Sequence, residues 1–122
     1  MNVLIVEDDQ AISQMYQLKC ELTGILAKVA NDGREALDLL TSFTPDIILL
    51  DIQMPIMNGA EFLQVFHSKE ENKKIPVLIL TNTGAEEAPA NIWGTGIAGY
   101  IVKANTTPSE VINKIKEIID DK

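Results

Sequence analysis

Ile47-Ile48-Leu49-Leu50 is the stretch that most narrows what this chain can become: four consecutive aliphatic residues, entered through Pro45-Asp46 and ended by Asp51. A run this short and β-prone, with no polar residue inside it, does not suit a solvated sheet face. It predicts a strand buried on both sides, as occurs inside a parallel sheet covered by helices. Asp51 then stands at the strand's carboxyl end, the edge of an open α/β sheet where ligands bind. Val3-Leu4-Ile5-Val6 repeats the pattern and runs straight into Glu7-Asp8-Asp9. If the two strands are neighbours, several carboxylates crowd one pocket, and their mutual repulsion calls for a cation. Oxygen-only ligands favour a hard one, with Mg2+ the leading candidate.

The rest of the chain alternates strand and helix signals without repeats or low-complexity stretches. Strands are predicted at Asn2 to Val6, Leu26 to Ala30, Asp46 to Leu50, Pro76 to Leu80 and Ala98 to Val102. A first helix carries Ile12, Met15, Tyr16, Cys20 and Leu22 inward and stops at Gly24. A second is capped by Asp32 and buries Ala36, Leu37, Leu39 and Leu40. The third opens at Asn58-Gly59 with Phe62, Leu63, Val65 and Phe66 inward and His67 facing solvent, followed by a solvated charged loop from Lys69 to Lys74. A poorer helical stretch runs from Gly84 to Trp93, interrupted by Pro89, with Trp93 packing at its end. Thr107-Pro108-Ser109-Glu110 sets up a last helix that buries Val111, Ile112, Ile115, Ile118 and Ile119. Five strands alternating with five helices predict one doubly wound α/β domain spanning residues 1–122.

Composition closes off other classes. The chain has 122 residues, long enough to bury a core without staples. A net charge of −8 lacks the basic footprint of a direct nucleic-acid binder. No apolar run approaches the length of a membrane-spanning helix and no amino-terminal signal is present, so a cytoplasmic protein without membrane contact is expected. The single cysteine, Cys20, forms no internal disulfide and is read as a packing residue.

Five short pieces, Val6-Glu7-Asp8-Asp9, Leu49-Leu50-Asp51, Met54-Pro55-Ile56-Met57-Asn58-Gly59, Leu80-Thr81 and Gly99-Tyr100-Ile101-Val102-Lys103, occur in this order at strand tips. In them the chain resembles the receiver domain of two-component response regulators over nearly its whole length. The resemblance implies a CheY-like, flavodoxin-like sheet of order 2-1-3-4-5. It implies that Asp51 accepts a phosphoryl group from a phosphohistidine on a histidine kinase or histidine phosphotransfer protein. Asp8 would hold Mg2+ directly, Glu7 through water, and the backbone carbonyl of Gln53 would complete the protein's share of the shell. Thr81 would hydrogen-bond the phosphoryl group, Lys103 would pair with one of its oxygens, and Tyr100 would be the switch aromatic. The switched surface would be helix four, strand five and helix five, read by a downstream target protein.

Those roles agree with the chemistry of phosphoryl transfer, which needs an in-line nucleophile, a metal that neutralises developing charge, and fixed hydroxyl and cationic donors. A carboxylate nucleophile gives an acyl phosphate that water later removes, so the expected activity is a self-catalysed mark and not turnover of a substrate. Asp9 is read either as part of the acidic cluster or as the cap of the first helix. Asn82 after Thr81 and Ala104 after Lys103 depart from the family pattern; the first could narrow the approach to the site, and the second predicts a trans Lys103-Ala104 peptide. A stand-alone receiver signalling by protein contact is expected. Two rivals are weaker: a Mg2+-dependent aspartyl-phosphate phosphohydrolase, which usually carries an acid where this chain has Gln53, and a degenerate receiver acting only as an interaction module.

Overall fold

The computed structural model describes residues 1–88, 92 and 96–120. Five parallel strands form one sheet: β1 (Asn2–Val6), β2 (Leu26–Ala30), β3 (Ile47–Leu50), β4 (Val77–Thr81) and β5 (Gly99–Val102). Their order is β2-β1-β3-β4-β5, as the family resemblance implies. Val3 to Val6 pairs with Ile47 to Leu50, so β1 and β3 end side by side at the point where the strand order reverses.

Alternation along the central strands divides the core between two faces. Val3, Ile5, Ile47 and Leu49 point to one side, where α1 (Gln10–Leu22) and α4 (Pro108–Asp120) supply Tyr16, Cys20, Val111 and Ile115. Leu4, Val6, Ile48 and Leu50 point to the other, where α2 (Gly33–Leu39) and α3 (Gly59–Phe66) supply Ala36, Phe62 and Phe66. Each fully buried aliphatic or aromatic side chain contributes about 1.5–3 kcal/mol relative to exposure, so the two faces together hold the strand tips rigidly.

The helices start where their caps dictate. Asp32 accepts from the Glu35 N–H at 2.9 Å. Asn58 and Glu61 form a reciprocal capping box at the head of α3. Thr107 and Glu110 do the same at α4: the Thr107 N–H donates to Glu110 Oε1 at 3.2 Å and the Glu110 N–H donates to Thr107 Oγ1 at 3.3 Å. Gly24 ends the α1 turn with φ 80°, the left-handed backbone that glycine adopts freely.

Several expectations are corrected. Four α-helices, not five, are present among the described residues. Of the stretch expected to be a fourth helix, Ala85–Glu87 forms a single 3-10 turn; Pro89 and Trp93 lie outside the described residues. Glu70–Lys74 is a 3-10 helix rather than a loop, with Lys73 paired to Glu70 at 2.8 Å. The inward face of α1 is Ser13, Tyr16 and Cys20, at intervals of three and four, and this phase turns Met15 and Leu22 outward. Likewise Phe62, Leu63 and Phe66 fix the inward face of α3 and leave Val65 exposed. His67 is half-buried rather than solvent-facing, because its ring tilts against Phe66 with centroids 5.4 Å apart. Burial and the nearby Lys73 hold its pKa below the usual histidine value.

Candidate functional site

The carboxyl ends of β1, β3, β4 and β5 deliver Glu7, Asp51, Thr81 and Lys103 to one pocket, which Asp8, Asp9, Ile12, Gln53 and Asn82 also line. The sheet register is the cause: Val6 lies opposite Leu50, so Glu7 and Asp51 leave β1 and β3 side by side, while Thr81, the last residue of β4, lies opposite Val102, directly before Lys103. Asp51 is recessed at 6% exposure, Thr81 is 1% exposed, and Asp8 stands at the exposed rim.

One oxygen each from Glu7, Asp8 and Asp51 lies within 4.8 Å of the others. Three carboxylates this close, with no nitrogen or sulfur donor among them, make a donor set suited to a hard divalent cation such as Mg2+. Part of their repulsion is met by Lys103, whose ammonium donates to Glu7 Oε1 and approaches Asp51 Oδ2 at 3.5 Å. Burial pulls the Lys103 pKa down, but the Glu7 hydrogen bond and the charges of Asp51 and Glu7 outweigh it and leave the ammonium above its ordinary range. Burial pushes the Glu7 carboxyl up to about 7, against the lowering effect of the Lys103 hydrogen bond, with the Asp51 charge adding to the rise. An anionic Glu7 at neutral pH therefore depends on a cation beside it.

The peptide after Lys103 is trans, as the sequence predicts, and Lys103–Asn105 turn in a 3-10 helix that brings the ammonium into the pocket. On the opposite wall the Gln53 N–H donates to Asp51 Oδ1 at 3.3 Å and fixes the orientation of that carboxylate. Gly59 lets the α3 turn approach the end of β3, because a Cβ there would press on the Asp51 carbonyl oxygen. Asp9 serves as the cap of α1: its Oδ1 accepts from the Ile12 N–H at 3.2 Å. Its own N–H donates to Glu7 Oε2 at 3.2 Å, which holds the second oxygen of Glu7 in place.

Tyr100 pairs with Ile79 in the sheet and is half-buried. Its hydroxyl donates to the Thr83 carbonyl at 2.7 Å, two residues beyond Thr81, while the Thr83 N–H donates to Thr81 Oγ1 at 3.4 Å. Burial, then the charges of Asp51, Glu86 and Glu87, raise the Tyr100 pKa and keep it a donor. Sequence reasoning thus assembled the pocket residues but missed two features. Tyr16 sits directly beneath, lining a small apolar cavity with Glu7 and Asp51, and at sequence level it is one more member of a helical stripe. Ile56 has a backbone conformation that no β-branched residue signals.

Comparison with known proteins agrees with this geometry. The family model described as the response regulator receiver domain matches residues 3–116. The Regulator of RpoS from Escherichia coli K12 is 32% identical over 96% of this chain and 33% of its own length. The phosphate regulon transcriptional regulatory protein PhoB from Klebsiella pneumoniae is 32% identical over 96% of this chain and 51% of its own length. The chain thus spans between a third and about half of these curated relatives. Among solved structures, chemotaxis response regulator CheY4 of Vibrio cholerae superposes with a TM-score of 0.86 at 30% identity, covering 96% of this chain and 97% of its own. TrrA from Thermotoga maritima, solved in complex with Mg2+-BeF, gives 0.82 at 25% identity, covering 96% and 97%. No helix among the described residues is long and apolar enough to cross a membrane. With its sheet order, its acidic strand tips and the family match over almost all of its length, the chain belongs to the response regulator receiver domain family.

Proposed function

We propose that residues 1–122 form one phosphoacceptor domain in which Asp51 takes a phosphoryl group from a phosphohistidine on a histidine kinase or histidine phosphotransfer protein. One observation carries the reading: the recessed Asp51 carboxylate, at the end of the central strand β3, is ringed by Glu7 and Asp8 from the end of β1, Thr81 from β4 and Lys103 from β5. An Asp51 carboxylate oxygen attacks phosphorus as the phosphorus–nitrogen bond breaks, and the departing imidazole takes a proton from water. Asp8 and Asp51, with the Gln53 carbonyl and Glu7 through water, would hold Mg2+, which supplies charge neutralisation on the phosphoryl oxygens. Lys103 exchanges its Glu7 contact for a phosphoryl oxygen, and the Thr81 hydroxyl donates to another. The complex of TrrA with Mg2+-BeF supports this assignment by analogy.

Relaying the mark follows from the same contacts. Drawing Thr81 toward the phosphoryl group pulls on the Thr83 amide bonded to it, and Thr83 is the residue that holds the Tyr100 hydroxyl. Tyr100 and β5 thereby feel the state of Asp51, and a downstream target protein would read that surface. Hydrolysis of the acyl phosphate resets it. We place this chemistry in the cytoplasm and assign it no contact of its own with nucleic acid or membrane. Titration of the labelled chain with beryllofluoride and Mg2+, followed by amide NMR, should shift Thr81, Thr83, Tyr100 and Lys103 together. Shifts limited to Asp8 and Asp51 would leave a metal site without a switch and contradict the relay.

A further inference from the structure

Ile56 is the one non-glycine residue among those described with a positive φ, 68°. That region is costly for a branched Cβ, and glycine or asparagine is its usual occupant. The Met57 N–H donates to the Pro55 carbonyl at 2.7 Å, which makes Ile56 the central residue of a γ-turn of the rarer, strained hand. Both flanks are pinned. The Gly33 N–H donates to the Met57 carbonyl at 3.1 Å, and the Gly59 N–H donates to the Ile52 carbonyl at 2.8 Å. Strain kept in this way collects where a chain is used. The side chain it carries adds nothing to the core, since Ile56 is 78% exposed. Backbone preference and solvation both disfavour isoleucine at this position, so folding does not account for it.

We infer that Ile56 is an apolar contact for the protein that carries the phosphohistidine, buried against that protein while its phosphoryl group is delivered to Asp51. The inference rests on the phosphoacceptor reading and adds a partner surface to that same site. Location selects the occupant. The turn lies on the loop leaving Asp51, three residues beyond Gln53, and Gln53 lines the pocket itself. Asp51 is recessed and a histidine side chain is short, so a protein donor must bring its own surface down onto the rim, where it covers the tip of this turn. Phosphoramidate, a small donor with the same phosphorus–nitrogen bond, reaches Asp51 with no surface to set against Ile56.

The test compares the two donors on wild-type chain, Ile56→Asn and Ile56→Leu. The protein donor is a purified, autophosphorylated histidine kinase chosen because it transfers to the wild-type chain. Asparagine tolerates the positive φ and removes the apolar surface, whereas leucine keeps the surface. We expect Ile56→Asn to take the phosphoryl group from phosphoramidate at the wild-type rate but from the kinase roughly tenfold more slowly, through a raised KM. Ile56→Leu should transfer from both donors at close to wild-type rates. Unchanged kinase transfer in Ile56→Asn would overturn the proposal, including the case in which a downstream target uses this tip. Equal slowing with both donors would overturn it too, because Ile56 would then act through the geometry of the pocket. Should Ile56→Asn fold poorly, Ile56→Gly carries the same comparison. A wild-type chain that takes no phosphoryl group from phosphoramidate contradicts the phosphoacceptor reading instead, so the two failures are distinguishable.

Discussion

Asp8 and Glu7 are adjacent in sequence but differ in what their charge does. Asp8 is exposed at the rim and adds repulsion to a pocket already holding Glu7 and Asp51. Asp8→Ala should therefore leave the metal-free fold intact or raise its melting temperature, while abolishing the stabilisation that Mg2+ gives; a clear loss of metal-free stability would contradict this. Glu7 is buried, and its carboxyl is pushed from an ordinary 4.5 to about 7. A carboxyl held above its unfolded value binds its proton more tightly in the folded chain, so its stabilisation is complete below pH 4.5 and is lost as pH rises through about 7. Thermal melts in EDTA should show this decline between those limits, and Glu7→Gln should flatten it. His67 has the opposite sign, since a lowered pKa removes stability as pH falls, and it remains in both proteins as the internal control. These residues were legible because an acid or a lysine straight after an apolar run has no packing role at a strand tip. Asp9 was not decided by the sequence, as a cap and a ligand use the same side chain at the same place. Ile56 was invisible, since the strain belongs to the loop path and no residue type announces it.

Elements were legible where a local chemical signal marks their ends. Asp32, Asn58 and Thr107 are each a short oxygen-bearing side chain followed three residues later by a glutamate, and all three cap a helix. Asn58→Ala should cost about 1 kcal/mol, read from denaturant unfolding, through loss of the α3 cap. Gly59→Ala should cost more, because its Cβ would press on the Asp51 backbone as well as on Ile52. The faces of helices were less legible. Apolar residues such as Met15 and Val65 share helices with a better-phased set, and only tertiary packing chooses which set is buried. The weakest region was Gly84 to Trp93, where Pro89 and the following glycines oppose a helix. Ala85–Glu87 makes one 3-10 turn there. Its amides should exchange far faster than those at the centre of α4, and equal protection would show a longer helix than the local backbone supports.

Across the whole molecule, a five-stranded sheet whose central strands β1, β3 and β4 are buried holds the pocket at its strand tips. The alternating strands and helices of a doubly wound domain follow from apolar runs too short for helices, whereas the strand order was legible through the family resemblance and the register only in the folded chain. In the proposed phosphotransfer, Lys103 would exchange Glu7 for a phosphoryl oxygen, which predicts that metal, phosphoryl group and stability are linked. Mg2+ should raise the melting temperature of the wild-type chain in proportion to the logarithm of its concentration above the dissociation constant. The account is tested most directly by intact-mass measurement after incubation with acetyl phosphate, with Mg2+ or with EDTA, on wild-type chain and Asp51→Ala. It predicts a gain of one phosphoryl group in wild-type chain with Mg2+, lost again on standing, and no gain in EDTA or in Asp51→Ala. Labelling that survives Asp51→Ala, or a wild-type chain that stays unlabelled with Mg2+ present, would contradict it.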